Sequence, residues 1–211
     1  MISVVADNGN AAWRDALGKV FNHADESDSH RYVKDIPAVI CIDSPSLEVA
    51  DPLFPMKQKD LDVINKYIVT GEEEDKVIHE WTKLYYHRMF DQPFSQIEYF
   101  IRSLRSSESK GGCQISMWDK TIDQESTISP CTQVIWGRRK KNSLELHVHA
   151  HSSDAFKKLL MNIQEFIAVH HYVAQKVGLS VGRFIHFIDS CHIYREDQGD
   201  VAAVVSRISA G

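Results

Sequence analysis

The sequence predicts an α+β chain, organised as a single domain over residues 1–211. Two observations give the class. A long helical rhythm over residues 155–177, with Phe156, Leu159, Leu160, Ile163, Ile167, Val173, Ala174 and Val177 in one stripe, coexists with apolar runs of strand length such as residues 36–42. Helical and strand patterns also mix without the strict alternation of a doubly wound sheet. A third observation gives the domain count. The 211 residues suffice for one substantial core, and no repeat, low-complexity segment or linker divides them.

In order along the chain, residues 10–21 have helical spacing, with Trp13, Leu17, Val20 and Phe21 on one face. Residues 23–30 are polar and acidic, which predicts a surface loop. Ile36 to Ile42 reads as a buried strand ended by Asp43-Ser44-Pro45. Residues 52–55 are irregular, and residues 61–67 form a helix closed by Thr70-Gly71. Residues 77–90 are rich in aromatics and fit neither period cleanly. Residues 94–104 make an amphipathic helix with Phe94, Ile97, Phe100, Ile101 and Leu104 on one side. A loop over residues 106–112 and a strand over 112–118 follow. Residues 132–136 and 144–151 read as two strands joined by a solvated basic turn, Arg138-Arg139-Lys140-Lys141. Gly178 caps the long helix, residues 181–188 give another strand, and residues 201–208 a short helix.

Hydrophobic content of 43% and charged content of 25% are those of an ordinary soluble globular protein, and a net charge of −5 argues against a dedicated nucleic-acid binder. No apolar run approaches the roughly 20 residues a membrane span needs. Residues 1–8 lack the basic and apolar regions of a secretion signal. A cytoplasmic protein without a membrane partner is expected. Cys41, Cys113, Cys131 and Cys191 are widely spaced, which predicts free thiols in a reducing compartment.

The stretch that organises the chain is residues 145–154, Glu-Leu-His-Val-His-Ala-His-Ser-Ser-Asp, with Ser129-Pro130-Cys131 upstream and Cys191-His192-Ile193-Tyr194 downstream. Cys131 enters a strand from a rigid dipeptide, so the backbone fixes its direction. It reads either as a buried thiol or as a nucleophile, and a nucleophile needs cationic or hydrogen-bonding neighbours to ionise. Histidines 147, 149 and 151 share one strand face by alternation. They either pave that face or supply metal ligands. His147 and His151 lie roughly 13 Å apart along a strand, so one ion would take an adjacent pair plus His170 or His171. Ser152-Ser153-Asp154 has the polar character of a helix N-cap, which is also a place where anions bind. Asn162 sits beside the apolar stripe, where its amide needs a partner from the core or from a ligand. His192 and Tyr194 alternate along a strand and point to one side.

Taken together these features resemble the thymidylate synthase superfamily, in family order over roughly half the chain. They are Tyr86 before Arg88; Ser95-Gln96-Ile97 opening a helix; Ile115-Ser116-Met117-Trp118-Asp119; Ser129-Pro130-Cys131-Thr132-Gln133; Ser152-Ser153-Asp154-Ala155-Phe156; Met161-Asn162-Ile163; Val181-Gly182; and His192-Ile193-Tyr194. The short tail after Tyr194 is similar to that of the small, archaeal-type thymidylate synthases; a pyrimidine nucleotide hydroxymethylase is the other member type that fits. The resemblance implies a mixed sheet packed with helices and homodimers whose sheets pack back to back. It implies methyl or hydroxymethyl transfer to C5 of a pyrimidine nucleotide or nucleoside, with 5,10-methylenetetrahydrofolate or a related one-carbon pterin as donor. Cys131 is then the thiolate that adds to C6. Asn162 reads the O4/N3 edge of the base, and the backbone at Asp154 its O2. His192 and Tyr194 hold the sugar hydroxyl, and Ser152, His151 and Gln133 complete the substrate site. Asp154 also helps to place the folate, and Tyr86 belongs to the water network around C5. An assisting glutamate is implied as well, but the motifs do not fix its position.

The chain departs from the family pattern at its phosphate anchors. A pair of arginines is replaced by Gly111-Gly112, and a further arginine by His151. At about 1.5–3 kcal/mol per charged hydrogen bond, their loss weakens phosphate binding by several kcal/mol. Nearby histidines, Arg88, Lys110 or the 138–141 turn are the available replacements. The alternative reading is a catalytically degenerate family member acting as a dimeric binding protein; a histidine-dependent metalloenzyme is a third.

Overall fold

In the computed structural model, seven strands among the described residues form one mixed sheet. The structure describes residues 1–27, 29–91, 93–106, 113–127 and 129–210. Strand β1 (Ile2–Ala6) leads through α1 (Gly9–His23) to β2 (Asp25–Glu26) and β3 (Tyr32–Ile42). Helices α2 (Gln58–Thr70), α3 (Glu80–Phe90) and α4 (Gln96–Arg105) follow, then β4 (Gln114–Ser116). The hairpin β5 (Thr132–Lys140) and β6 (Ser143–Asp154) precedes α5 (Leu159–Val177), β7 (Ser180–Tyr194) and α6 (Gln198–Ala210). Across the sheet the order is β1-β3-β7-β6-β5-β4, with the short β2 pairing on β3. Pairs β1/β3 and β6/β7 are parallel and the rest antiparallel. The parallel pairs are those whose connections run through a helix, α1 and α5 respectively, as parallel pairing requires. The fold is thus α+β, as its strand and helix patterns predict, with the mixed sheet packed with helices that the resemblance implies.

Local chemistry sets the helix ends. Asn8 accepts a hydrogen bond from the Ala11 amide at 2.9 Å and starts α1, whose Trp13, Leu17 and Val20 are fully buried. Gly71 and Gly178 close α2 and α5 with φ of +70° and +71°, a conformation that glycine adopts without strain. Ser95 caps α4, accepting from the Glu98 amide at 3.4 Å. Ile97, Phe100 and Leu104 pack inward, and Phe100 lies so close to Gly137 on β5 that a Cβ there would overlap its ring. Helix α5 is buried on nearly every side, from Leu159 to Ala174. Trp13 Nε1 donates to the Ala155 carbonyl at 3.0 Å and pins the turn before α5 to α1. The paired indole also satisfies a polar group that would cost about 1–3 kcal/mol if left bare in the core.

Several boundaries differ from the sequence reading, each for a physical reason. Residues 25 and 26 form a strand instead of a loop, because they pair with Asp35 and Lys34 of β3. Phe94 precedes the cap of α4 and is 87% exposed, so it is not part of that helix's apolar face. Arg138 and Lys140 belong to β5 and not to a solvated turn: Arg138 is held 2.5 Å from Glu145 across the hairpin. Lys141, with φ of +55°, makes the tight connection. The α5 rhythm starts four residues late because Asp154 turns the chain first, its Oδ1 accepting from the amides of Phe156 (2.9 Å) and Lys157 (3.1 Å). The expected loop over 106–112 falls almost wholly outside the described residues. No helix among the described residues is long and apolar enough to cross a membrane.

Candidate active site

At one end of the sheet, the start of β3, the end of β7 and the far end of β6 lie side by side. Tyr32 pairs with Tyr194, and His192 with both Asp35 and Asp154. The Ala155 amide donates to the His192 carbonyl at 2.9 Å, which ties the turn before α5 to β7. The His151 amide donates to the Cys131 carbonyl at 2.9 Å, which brings the Ser-Pro-Cys segment to the same place. Helix α5 and the start of α3 close the other side. The result is a cavity of about 400 Å³ whose lining includes Cys131, His151, Ser152, Asp154, Asn162, His192 and Tyr194. Residues from five separate stretches of sequence converge there.

Cys131 is half-buried, and the Ser152 hydroxyl donates to its sulfur at 3.5 Å. By contrast Cys191 is sealed in the core, where burial pushes its thiol up to about 12. Burial raises the Asp154 carboxyl above its ordinary range, against the two amides it accepts from. His192 stacks on Tyr32 at 3.9 Å between ring centres and meets Tyr194 edge-on at 5.0 Å. Its Nδ1 lies 3.2 Å from the Ser190 carbonyl, while its Nε2 is buried without a protein partner. Burial also lowers the His192 pKa, so the ring is neutral at pH 7. An unpaired ring nitrogen at a cavity wall is a vacant hydrogen-bonding position for a ligand. Arg31 lies 5.7 Å from the centre of the Tyr194 ring and lines the same cavity.

Two residues singled out from the sequence do not reach the cavity. Tyr86 lies on the far side of α3, stacked on Phe90 at 4.8 Å and 5.0 Å from the Tyr67 ring, with its phenol against Gly71. Its neighbour Tyr85 lines the cavity instead, and the Tyr85 hydroxyl accepts from the Thr132 amide at 3.0 Å. One residue along a helix is a turn of about 100°, so neighbours face different surroundings. Gln133 is the other: its Nε2 donates to the Pro130 carbonyl at 2.6 Å, so it braces the turn before Cys131.

The histidine strand divides. His147 lies 3.1 Å from Glu145, and His149 lies 3.0 Å from Asp189 on the opposite, open face with Trp136 and Phe187. His151 lies beyond the register irregularity at Thr132/Val134 and joins the cavity. His170 is spoken for by the Leu144 carbonyl at 2.8 Å, and His171 by that of Pro45 at 3.0 Å. Among the described residues, no three histidine, cysteine or carboxylate side chains converge as metal ligands. Of the replacement cations, Arg88 is committed to Asp123 at 3.0 Å and Arg138 to Glu145. Gly111, Gly112 and Lys110 lie outside the described residues.

Sequence reasoning missed Arg31, Tyr32, His79, Trp81, Tyr85 and Lys158, all of which line the cavity. A helical reading of residues 80–90 finds Tyr85, because Thr82, Tyr85 and Met89 share its buried face. Behind the wall, fully buried Glu165 accepts from the Thr82 hydroxyl at 2.9 Å, and its Oε1 has no partner. Burial pushes its carboxyl up to about 8, against the opposing pull of Thr82 and Lys158.

A mixed sheet thus brings a half-buried cysteine, a side-chain amide and an imidazole–phenol pair to one cavity. The model of the thymidylate synthase family matches residues 54–210, and the chain belongs to that family. It is 23% identical over 207 residues to a putative thymidylate synthase of Methanocaldococcus jannaschii, covering 92% of this chain and 91% of the relative. It is 24% identical over 142 residues to the thymidylate synthase of Phytoplasma mali, covering 67% of this chain and 49% of that protein. The match to the Listeria monocytogenes enzyme is 24% over 143 residues, 68% of this chain and 44% of the relative. The chain thus spans nearly all of the archaeal relative and about half or less of these two bacterial ones. Membership supports transfer of a one-carbon unit to C5 of a pyrimidine nucleotide.

Proposed function

We propose that this protein transfers a methyl or hydroxymethyl group to C5 of a pyrimidine nucleotide or nucleoside, through a covalent bond between Cys131 and C6 of the base. The observation that carries the reading is the convergence of Cys131, its hydroxyl partner Ser152 and the amide of Asn162 on one cavity. The C5 carbon of a pyrimidine is a poor nucleophile. Addition of sulfur at C6 makes C5 electron-rich and replaces one hard step with two easier ones. Asn162 meets the polar edge of the base, and its amide serves either uracil or cytosine by rotating. His192 and Tyr194 take the sugar hydroxyl, with the unpaired His192 Nε2 as the vacant position. Arg31 and the imidazole of His151 are available to a phosphate.

A cavity of about 400 Å³ suits one nucleotide. The donor, 5,10-methylenetetrahydrofolate or a related pterin, needs an aromatic surface beside it. Trp81 fits, because it lines both this cavity and an adjoining groove. Met161 and Asp154 would complete the donor's seat, and the donor supplies the one-carbon unit. Homodimer formation through the open sheet face, where Val5 and Phe187 are exposed, belongs to the same reading. So does a cytoplasmic location. The degenerate binding-protein alternative is not favoured, because the thiol keeps its hydroxyl partner and its access to the cavity. Release of tritium from C5 of uracil and cytosine nucleotides and nucleosides tests the proposal without assuming the product. Release from at least one, abolished by Cys131→Ser, is the expected result, and no release from any substrate refutes it.

A further inference from the structure

One cation in the cavity wall, Lys158, is half-buried and feels the carboxyl groups of Asp154 and Glu165 without forming a salt bridge to either. Lys158 closes the turn before α5, and its Nζ lies 2.9 Å from Nε2 and 3.1 Å from Nδ1 of His79. It makes no salt bridge to a described carboxylate, whereas its neighbour Lys157 is paired with Asp197 at 2.6 Å. Burial and the nearby ammonium push His79 down to about 4, so His79 is neutral at pH 7 and steadies the lysine without neutralising it. A partly desolvated, unpaired ammonium costs free energy in the free protein. In a cavity wall, such a group marks a place where a ligand supplies the missing charge.

Helix geometry says which part of the ligand that is. The backbone N–H of Asn162 donates to the Lys158 carbonyl at 2.8 Å, so Asn162 stands one turn further along the same face. Their Cβ atoms are then about 5–6 Å apart, within the reach of a lysine side chain. With Asn162 at the base edge, a lysine one helical turn away is within reach of the exocyclic atom on C4.

We propose that Lys158 is a catalytic residue whose ammonium offsets the negative charge that gathers on the C4 oxygen of the pyrimidine as Cys131 adds to C6. This rests on the function proposed above. In that step the thiolate sulfur gives an electron pair to form the S–C6 bond. The C5=C6 π pair moves toward C5 and the C4 oxygen, so the charge leaves sulfur and ends as an enolate, with no proton lost. An ammonium only donates hydrogen bonds, so it suits an oxygen on C4 better than an amino group. His79 is the positioning residue that keeps the ammonium in place.

The experiment compares wild type with Lys158→Met and Lys158→Arg, each checked for an unchanged melting curve. The readouts are the rate of tritium release from a uracil nucleotide labelled at C5 and the Kd of that nucleotide by calorimetry. Losing a donor to a developing oxyanion lowers rates by about 10²–10³-fold. The expected result is a fall of about 10²-fold in the maximal release rate with Lys158→Met, a Kd shift of less than about 10-fold, and partial recovery with Lys158→Arg. Release by Lys158→Met at the wild-type rate overturns the proposal. So does a loss confined to Kd, which makes Lys158 a binding group only. If both lysine variants lose their fold, His79→Ala decides, with the same readouts and a smaller fall in rate expected. A wild-type protein that releases no tritium from any pyrimidine defeats the underlying function instead, an outcome distinct from wild-type release that Lys158→Met matches.

Discussion

The two ends of strand β6 carry similar residues in opposite states. Near its start, Glu145, His147 and His149 lie beside partners: Glu145 holds Arg138 and His147, and His149 meets Asp189. Burial raises the Glu145 pKa, but His147 and Arg138 outweigh it, and the net shift is downward. At its far end, Ser153 Oγ is buried without a partner, and across the pairing His192 Nε2 is too. Polar groups that satisfy one another build the fold, and those left open mark where a ligand completes the structure. Three histidines in one alternating run therefore have two different fates.

The largest effect belongs to the open end. Cys131→Ser is expected to lower tritium release by at least about 10³-fold with an unaltered melting temperature, since only the nucleophile changes. A stable Cys131→Ser protein that still turned over would remove the contrast between the ends.

Next comes the buried carboxyl behind the cavity. Glu165 keeps its proton to about pH 8 when folded, against 4.5 as its ordinary value. The folded chain therefore binds more protons in that window, and this group lowers stability progressively as pH rises through it. Glu165→Gln removes the dependence. Its melting temperature is expected to match wild type near pH 5 and to exceed it near pH 8.5, by an effect on the order of a few kcal/mol. Calorimetric melts at the two pH values check this, and an equal offset at both contradicts it.

Smaller effects separate neighbours on α3. Tyr85→Phe removes the acceptor for the Thr132 amide beside Cys131 and is expected to slow release about 3- to 10-fold. Tyr86→Phe, on the far side of the helix, is expected to stay within about 2-fold. The reverse order of rates would return Tyr86 to the site. Smallest of all, His149→Ala on the open face is expected to alter the rate by less than about 2-fold, measured by the same assay.

The strongest periodic segments were legible in the sequence. Trp13, Leu17 and Val20 of α1 and the whole stripe of α5 follow from spacing alone, because burial of an apolar face leaves a regular imprint. Ser152, Asp154, Asn162, His192 and Tyr194 came together as a set through the resemblance to the thymidylate synthase superfamily, and all five line one cavity. Other features depend on tertiary contacts that no local pattern encodes. Residues 25 and 26 form a strand only because β3 lies beside them, and Phe94 is apolar yet outside the helix it seemed to begin. Arg31 and His79 reach the cavity from segments remote from Cys131, through the crossing of β3 and the entry of α3. Lys158 was hidden inside the expected helical rhythm of residues 155–177, and its contact with His79 depends on the fold.

The central claim is that the thiol of Cys131 and the amide of Asn162 act on one pyrimidine ring. Incubation with a 5-fluoropyrimidine nucleotide and methylenetetrahydrofolate, followed by mass spectrometry of the peptides, tests it most directly. A stable adduct on the peptide that carries Cys131, absent from Cys131→Ser, is the result predicted. No adduct with any fluoropyrimidine, or one on Cys41, Cys113 or Cys191 instead, would contradict the account.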